Sequence, residues 1–374
     1  MVATATSSAL TGAQATAATY VYVSNAGDGD IGMYTMQADG SLQPGLRVKA
    51  QELVMPMVVS PDRKFLFAAA RSKPFSVHTF AIDSGSGALK SVSVSPLADS
   101  FPYISLDKTG RFLLGASYSG SVISVNAVGT DGKVDAKPLQ VLSIGRNAHS
   151  IRVDESNSYV FVPSLGSDQL FQFTFDAKTG RLVSNTPAVV LMKSVTGPRH
   201  FITSPDNKFV YLLSEMAGTV TTFSLDAKTG LLTEVASISG LPADTKLRAG
   251  ALRGAVGAPG GPPPRNTDND IWAADINMTP NGKFLYISER SGSSINALSV
   301  DGATGKLTYV GSTPTEKQPR GFRIDSKGKY MVVTGEKSDM IATYAIDPAN
   351  GSLKQIGRYP TGKGANWVEI VSND

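Results

Sequence analysis

Residues 204–230 read SPDNKFVYLLSEMAGTVTTFSLDAKTG and contain two features that recur along the chain. The first is an aromatic residue that opens a short apolar run, at Tyr20, Phe65, Phe112, Tyr159, Phe209, Phe284 and Tyr330. The second is a glycine shortly before Leu or Val, at Gly40, Gly87, Gly132, Gly180, Gly230, Gly305 and Gly351. Both recur every 45 to 50 residues, apart from one interval of 75. Two independent markers therefore count seven units.

A period of this length is typical of a β-propeller blade, which contains four short strands. Helical repeats are excluded because no long segment has the 3.6-residue apolar period of an amphipathic helix. In the second unit we expect an inner strand at 57–59, a second strand at 65–70, a third at 77–82 and an outermost strand at 89–94. The sequence thus predicts an all-β, seven-bladed β-propeller that spans residues 20–374.

The two ends of the chain complement each other. The chain enters the repeat at Tyr20, in a second strand, and ends with residues 367–371, which resemble an inner strand without its blade. We therefore expect the N- and C-terminal strands to close one blade together. Such closure removes the last open sheet edge of the ring.

Composition excludes several classes of function. The chain has 41% hydrophobic and 18% charged residues, as expected of a soluble globular protein, and its net charge is only +4. No basic run is interleaved with aromatic residues, so we expect no nucleic-acid partner. No apolar stretch approaches the roughly 20 residues of a membrane span, so we expect no membrane partner, and we expect a monomer. The absence of Cys excludes disulfides, thiolate catalysis and Cys-ligated zinc.

The N-terminal segment bears on cellular location. Residues 1–19 are rich in Ala, Thr and Ser, and Gly12-Ala13-Gln14-Ala15 resembles a signal-cleavage site with small residues. This predicts a residual signal-peptide segment and a periplasmic or secreted protein. The alternative is a disordered tail on a cytoplasmic protein.

Polar side chains accumulate where one mouth of the propeller channel is expected. Strand direction alternates within a blade, so the start of each inner strand and the end of each second strand lie on the same face. The first set of positions contains Pro56, Tyr103, His149, Arg199 with His200, Asp275, Arg320 and Trp367. The second set contains Ala26, Arg71, Tyr118, Leu165, Glu215, Arg290 and Glu336. Buried charges are costly unless paired, so this cluster favours an anion-binding site over a structural network of Arg–Glu pairs.

The single long interval indicates a loop insertion at residues 241–269, rich in Gly and Pro, that leads directly to the same mouth. Loops of this length are often functional. We expect it to lie near the site and to act as a lid. Its charges favour an anionic ligand, namely Lys246, Arg248, Arg253 and Arg265.

Four motifs carry a resemblance to a known family: Gly197-Pro198-Arg199-His200, Trp272-Ala273-Ala274-Asp275-Ile276, Gln318-Pro319-Arg320-Gly321-Phe322 and Gly335-Glu336-Lys337-Ser338. Across all seven units the chain resembles the propeller-type 6-phosphogluconolactonase family. That family includes fungal carboxymuconate-lactonizing enzymes, in which a His, two Arg and a Glu form the catalytic group. The matching positions are His149, Arg199, Glu215 and Arg290.

The resemblance implies a metal-independent lactonase without a cofactor, acting on a sugar or organic-acid lactone. Glu215 or His149 would be the general base, while Arg199 and Arg290 would hold the oxyanion or an acidic group. Substrate-binding residues are expected at His200, Asp275, Arg320, Arg71, Tyr118, Glu336 and Trp367. Two alternatives remain open: a muconate-type cycloisomerase, and a non-catalytic propeller that binds a small anion or a partner protein.

Overall fold

The computed structural model describes residues 18–252 and 266–373, which form seven four-stranded antiparallel sheets. Each sheet is one blade, and the blades follow one another along the chain. The predicted seven-bladed β-propeller is therefore confirmed. In the second blade the second strand has the predicted bounds, and the other three strands are slightly longer than predicted, because bulges and hairpin ends extend the pairing beyond the apolar runs. The only helical turn in the described ranges is a 3-10 turn at Leu165–Ser167.

In each blade the four strands run in order from the channel outward. Blade 1 contains β28 (Ala365–Ser372), β1 (Thr19–Asn25), β2 (Asp30–Met36) and β3 (Leu42–Lys49). Blade 2 contains β4 (Val54–Val59), β5 (Phe65–Ala70), β6 (Ser76–Ile82) and β7 (Leu89–Pro96). Blade 3 contains β8 (Tyr103–Leu106), β9 (Phe112–Ala116), β10 (Val122–Ala127) and β11 (Gln140–Ser143). Blade 4 contains β12 (Arg152–Val153), β13 (Tyr159–Ser164), β14 (Gln169–Asp176) and β15 (Arg181–Leu191).

The remaining three blades follow the same order. Blade 5 contains β16 (Pro198–Thr203), β17 (Phe209–Ser214), β18 (Thr219–Leu225) and β19 (Leu232–Ser239). Blade 6 contains β20 (Ala273–Met278), β21 (Phe284–Glu289), β22 (Ser294–Val300) and β23 (Leu307–Pro314). Blade 7 contains β24 (Phe322–Ile324), β25 (Tyr330–Val333), β26 (Met340–Ile346) and β27 (Leu353–Pro360).

The ring closes through its two chain ends, as the sequence predicts. The C-terminal strand β28 pairs with the N-terminal strand β1 over the register from Thr19 with Ser372 to Asn25 with Ala365. The last strand of the chain is thus the innermost strand of the first blade. This pairing leaves β1 without a free edge.

The two sequence markers meet at the interfaces between blades. Each marker glycine has positive φ and lies against the marker aromatic ring of the preceding blade, as Gly87 does against Tyr20 and Gly230 against Tyr159. Seven apolar clusters fill the interfaces, each built mainly from two adjacent blades; the cluster between blades 1 and 2 also includes Tyr103 of blade 3. The period of the sequence is therefore the period of blade packing.

Two predictions fall on residues outside the described ranges. The proposed tail or signal segment comprises residues 1–19, of which 1–17 lie outside the described ranges, while Thr19 begins β1. The central part of the predicted lid, 253–265 with Arg253 and Arg265, also lies outside them. None of the helices in the described part of the chain has the length and apolar character needed to cross a bilayer.

Candidate active site

Local irregularities in the inner strands bring polar side chains to the channel mouth. The pairing of β16 with β17 shifts by one residue between Pro198 and Phe201, and the pairing of β20 with β21 shifts between Ala273 and Ile276. A β-bulge of this kind re-aims the side chains beside it. As a result, the consecutive residues Arg199 and His200 are both buried at the centre of the ring.

A depression of about 170 Å³ lies at this mouth. Its lining combines three guanidinium groups, one carboxylate, one imidazole and two aromatic rings, from Arg71, Pro102, Tyr118, His149, Glu215, Trp272, Arg290 and Arg320. Six of these residues are predicted site residues: all except Pro102 and Trp272. The depression is therefore strongly cationic around a single acid.

The carboxylate of Glu215 is held by two guanidinium groups. Arg199 Nε donates to Glu215 Oε2 at 2.7 Å, and Arg290 Nη2 donates to the same oxygen at 2.8 Å. The other oxygen, Oε1, accepts no hydrogen bond within the described ranges. Since Glu215 lines the depression, Oε1 is the oxygen left for a ligand or a water molecule.

The charges of the site determine its protonation. Burial alone would raise the pKa of Glu215, but the positive charges of Arg290 and Arg199 outweigh burial and hold this pKa below its usual value. Burial and the neighbouring Arg199 lower the pKa of His149 well below its usual value. At neutral pH the site therefore contains an ionised carboxylate and a neutral imidazole. Neither His149 Nδ1 nor Arg199 Nη2 has a hydrogen-bond partner in the part of the chain that is described.

Arg71 and Arg320 both line the depression, and each is only weakly paired with negative charge. Arg71 Nε donates to Ser100 Oγ at 3.1 Å, and the nearest carboxylate oxygen to Arg320 Nε is that of Glu336, at 3.8 Å. Burial and the charge of Arg320 lower the pKa of Arg71 to about 10. Two such guanidinium groups favour an anionic ligand, because it would relieve their repulsion.

Trp272 is a site residue that the sequence argument missed. The Arg290 guanidinium lies 3.7 Å from the centre of its indole ring, and Arg290 Nε donates to the Trp272 carbonyl oxygen at 3.0 Å. Counting strand positions led instead to Asp275, because a regular strand has no bulge between Ala273 and Ile276. The aromatic residue at the start of the motif was the available signal.

Three predicted substrate-binding residues lie below the depression and do not line it. The rings of His200 and Trp367 pack with that of Tyr103, at centroid distances of 4.9 and 5.4 Å from Tyr103. Asp275 accepts a hydrogen bond from His200 Nδ1 at 2.9 Å. Together these residues form a buried layer beneath the site. Glu336 lies at the rim, beside Arg320.

The described flanks of the insertion lie beside the site. Gly250 N donates to the carbonyl oxygen of Met216, which follows Glu215 directly. Arg248 Nε donates to Asp270 Oδ1 at 2.8 Å and so connects the two flanks. The charge of Arg248 is therefore paired within the insertion.

Comparison with known proteins agrees with this architecture. The family model for the lactonase, 7-bladed beta-propeller matches residues 14–370. The 6-phosphogluconolactonases of Serratia proteamaculans and Pectobacterium carotovorum are 36% and 34% identical to the chain, and each match covers 82% of this chain and 84% of the relative.

Solved structures agree as well. The periplasmic gluconolactonase of Pseudomonas aeruginosa superposes with a TM-score of 0.83 at 25% identity, over 95% of this chain and 99% of that one. A putative 6-phosphogluconolactonase from Bacteroides fragilis, at 24% identity and a TM-score of 0.81, shares the fold. The chain therefore belongs to the lactonase family of seven-bladed β-propellers.

Proposed function

We propose that the protein is a lactonase that hydrolyses a sugar or organic-acid lactone in the depression at the channel mouth. The observation that carries this proposal is the carboxylate of Glu215, whose Oε2 is fixed by two guanidinium groups while Oε1 is left for a ligand or water. The names of the 34–36% identical relatives, 6-phosphogluconolactonase, support the same reaction class.

Lactone hydrolysis needs an activated water, stabilisation of the tetrahedral oxyanion and a proton for the leaving alkoxide. In the proposed reaction Glu215 Oε1 accepts a proton from the attacking water as the water oxygen bonds to the carbonyl carbon. The C–O bond of the ring then breaks, and the same proton passes to the departing oxygen. Water and the lactone are the only reactants, and Glu215 is again an ionised carboxylate at the end of the reaction.

The guanidinium group of Arg290, which lines the depression, is the proposed oxyanion ligand. Arg199 is fully buried and does not line the depression, so its proposed role is to hold Glu215 and not, as the resemblance implies, to bind the oxyanion directly. Fixed N–H donors in a site shielded from water stabilise a developing negative charge far more than mobile water does. Neutral His149 lies on the same wall and is the second candidate for the general base.

Arg71 and Arg320 are the proposed ligands of an acidic substituent on the substrate. Their mutual repulsion and weak pairing with Glu336 favour a phosphate or carboxylate between them. Paired N–H donors of Arg suit both groups. A phosphorylated sugar lactone and a lactone with a carboxylate side chain are thus the preferred substrate classes.

We further propose that the reaction needs no metal ion. Among residues 18–252 and 266–373, no three His, Asp or Glu side chains group in a way that would hold one. The depression itself presents more cations than carboxylates and would repel a divalent ion. Activity unchanged by dialysis against a chelator is expected, and a loss restored by a divalent metal would contradict the proposal.

The test of the proposed function is an acid-release assay with a pH indicator on a panel of lactones, each with and without a phosphate or carboxylate group. Muconate-type dicarboxylates are included to detect cyclisation. We expect acid release above the spontaneous rate, and faster release from the anionic lactones. Consumption of muconates alone would identify a cycloisomerase, and no reaction with any compound would favour a binding protein.

We also propose that the protein is exported and that it is a monomer. Export is supported by the periplasmic location in the name of the Pseudomonas aeruginosa relative and by the small residues at 12–15. Cell fractionation of the producing organism tests it, and recovery only with cytoplasmic markers would contradict it. A single species of about one chain mass in light scattering is the expected result for a monomer.

A further inference from the structure

A continuous chain of buried hydrogen bonds runs from the site into the channel. Arg199, which binds Glu215, places Nη1 at 3.2 Å from His200 Nε2. The opposite ring nitrogen, His200 Nδ1, lies 2.9 Å from Asp275 Oδ1. Asp275 Oδ2 accepts from Asn277 Nδ2 at 3.2 Å, and the chain thus leads inward along β20.

This series of hydrogen bonds continues across the channel to blades 7 and 1. Arg323 Nη1 donates to Asn277 Oδ1 at 3.0 Å, and Arg323 Nη2 donates to Glu369 Oε1 at 2.9 Å. Glu369 also accepts from Trp367 Nε1 at 2.8 Å. Five blades contribute to the assembly from Glu215 to Glu369, if the packed ring of Tyr103 in blade 3 is included. Every residue of this network has at least one hydrogen-bond partner, and only Arg199 Nη2 has none among the described residues. Buried networks that are satisfied to this extent are rigid.

The direction of each hydrogen bond follows from the chemistry of its ends. A guanidinium can only donate, so Arg199 Nη1 donates and His200 Nε2 must be the acceptor. The single proton of the neutral imidazole is then on Nδ1, which donates to Asp275. The two oxygens of Asp275 also accept from the backbone N–H groups of Ile276 and Phe322. Burial raises the pKa of Asp275 above its usual value, but the four donors and the charges of Arg323 and Arg199 favour the ionised carboxylate.

Charges around His200 favour the same state. Burial lowers the pKa of His200 well below its usual value, and Arg199, Arg320 and Arg323 lower it further. The ring is almost fully buried and does not line the depression. His200 can therefore affect a bound lactone only through a neighbour. It is hydrogen-bonded to Arg199, and its ring also packs against that of His149 at a centroid distance of 5.2 Å.

We propose that Asp275 and His200 are positioning residues: Asp275 holds His200 in the Nδ1–H form, and His200 Nε2 in turn fixes the guanidinium of Arg199 against Glu215. The positioning role rests on the proposed lactonase function, whereas the hydrogen bonds from Asp275 through His200 to Arg199 do not depend on it. Substrate contact, the role predicted from the sequence, is replaced by orientation of the group that holds the catalytic carboxylate.

The first test is independent of catalysis and uses the histidine content of the chain. There are only three His residues, so ¹⁵N-histidine labelling gives three ring spin systems, and the His200→Gln variant assigns one of them. We expect His200 to carry its proton on Nδ1 and to show no titration between about pH 5.5 and about pH 8. A proton on His200 Nε2, or titration of His200 within this pH range, would overturn the proposed hydrogen bonds from Asp275 through His200 to Arg199.

The second test uses two amide variants that each keep one half of the imidazole. In His200→Asn the amide nitrogen replaces Nδ1 and keeps the bond to Asp275 but loses the acceptor for Arg199. In His200→Gln the amide oxygen replaces Nε2 and keeps that acceptor. We expect His200→Asn to lower kcat by about 10- to 100-fold with KM changed less than about 3-fold, and His200→Gln to retain most of kcat.

A double-mutant cycle that combines His200→Asn with Arg199→Lys shows through which residue His200 acts. If it acts through Arg199, His200→Asn should change kcat less than about 2-fold in the Arg199→Lys background. His78→Asn is the matched control, since His78 is buried in blade 2 and bonded to Gln51, away from the site. It should leave kcat unchanged.

The outcomes separate the two proposals. Raised KM with unchanged kcat in His200→Asn, or full additivity with Arg199→Lys, would overturn the positioning role. Absence of lactone turnover in the unaltered protein would refute the proposed function, and the ¹⁵N spectra would still decide whether the Asp275–His200–Arg199 chain exists.

Discussion

The blade interfaces and the channel mouth are built on opposite principles. At every interface the same contact recurs, a marker glycine against a marker aromatic ring, with apolar clusters around it. At the mouth, equivalent positions of different blades carry different side chains, such as Arg71, Tyr118, Glu215 and Arg290. Repetition thus serves packing, and departure from repetition marks the position of the chemistry.

The two regions also differ in their contribution to the free energy of folding. Burial of apolar surface at the interfaces stabilises the ring by roughly 25 cal/mol per Å². Buried charges at the mouth carry a desolvation penalty that pairing offsets only in part. Arg199, which is fully buried, retains an N–H group without a partner among the described residues. The packing of the interfaces can therefore be altered without changing the mouth, whereas the paired charges of the mouth contribute to both function and stability.

The largest effect is expected from opening the ring. Deletion of residues 367–374 removes most of β28, leaves β1 with a free edge and exposes the apolar face that Trp367 and Val371 cover. We expect the loss of a cooperative thermal transition, measured by circular dichroism and calorimetry. A synthetic peptide of residues 365–374 should restore the transition in part. An unchanged melting profile would show that closure does not hold the ring together.

A large effect on catalysis is expected from Glu215→Gln. The amide cannot accept a proton from water, so kcat should fall by roughly 10²- to 10⁴-fold. The variant also leaves two guanidinium groups less well paired and should lower Tm by several degrees, measured by calorimetry.

The matched control for this variant is Asp30→Asn. Asp30 is a buried carboxylate that binds Arg47 at 2.7 Å but does not line the depression. A comparable loss of Tm with full activity is expected there. Full activity in Glu215→Gln would instead assign the base role to His149.

A moderate effect on stability alone is expected from Gly230→Ala. Gly230 has φ of 71°, and an added Cβ would overlap the ring of Tyr159 in the preceding blade. The free energy of unfolding should fall by about 1–3 kcal/mol, measured by denaturant titration, with kcat unchanged. In Gly311→Ala the added Cβ meets nothing within 4 Å, so this control should change stability by less than about 0.5 kcal/mol. Equal losses in both variants would refute the interface argument.

The smallest effect is expected from pH. The pKa values of Glu215 and His149 both lie below their usual values, so the ionised carboxylate and the neutral imidazole persist as pH falls through the usual His range. We expect kcat/KM, after subtraction of spontaneous hydrolysis, to stay flat from about pH 8 to about pH 5.5 and to decline only at lower pH. An inflection near about pH 6.5 would indicate a solvated His in the mechanism.

Residues of the depression could be predicted from the sequence wherever the strands that carry them are regular. The positions six residues after the marker aromatics include Arg71, Tyr118 and Arg290, and all three line the depression, because the second strands that carry them are regular and the pleat period is strict. The count is less reliable along the inner strands, where bulges in β16 and β20 shift the register. For this reason Trp272 was missed, and His200 and Asp275 were expected in contact with substrate.

The number of blades, the closure of the ring by its two ends and the residue types at the mouth follow from the repeat alone, because blade packing imposes a period that is visible in one chain. Which of those side chains line the depression, and which lie beneath it, becomes known only from the folded ring. Orientation and hydrogen-bond partners depend on bulges and on contacts between different blades, such as His200 with Asp275. These contacts join residues far apart in the chain, and no local pattern records them.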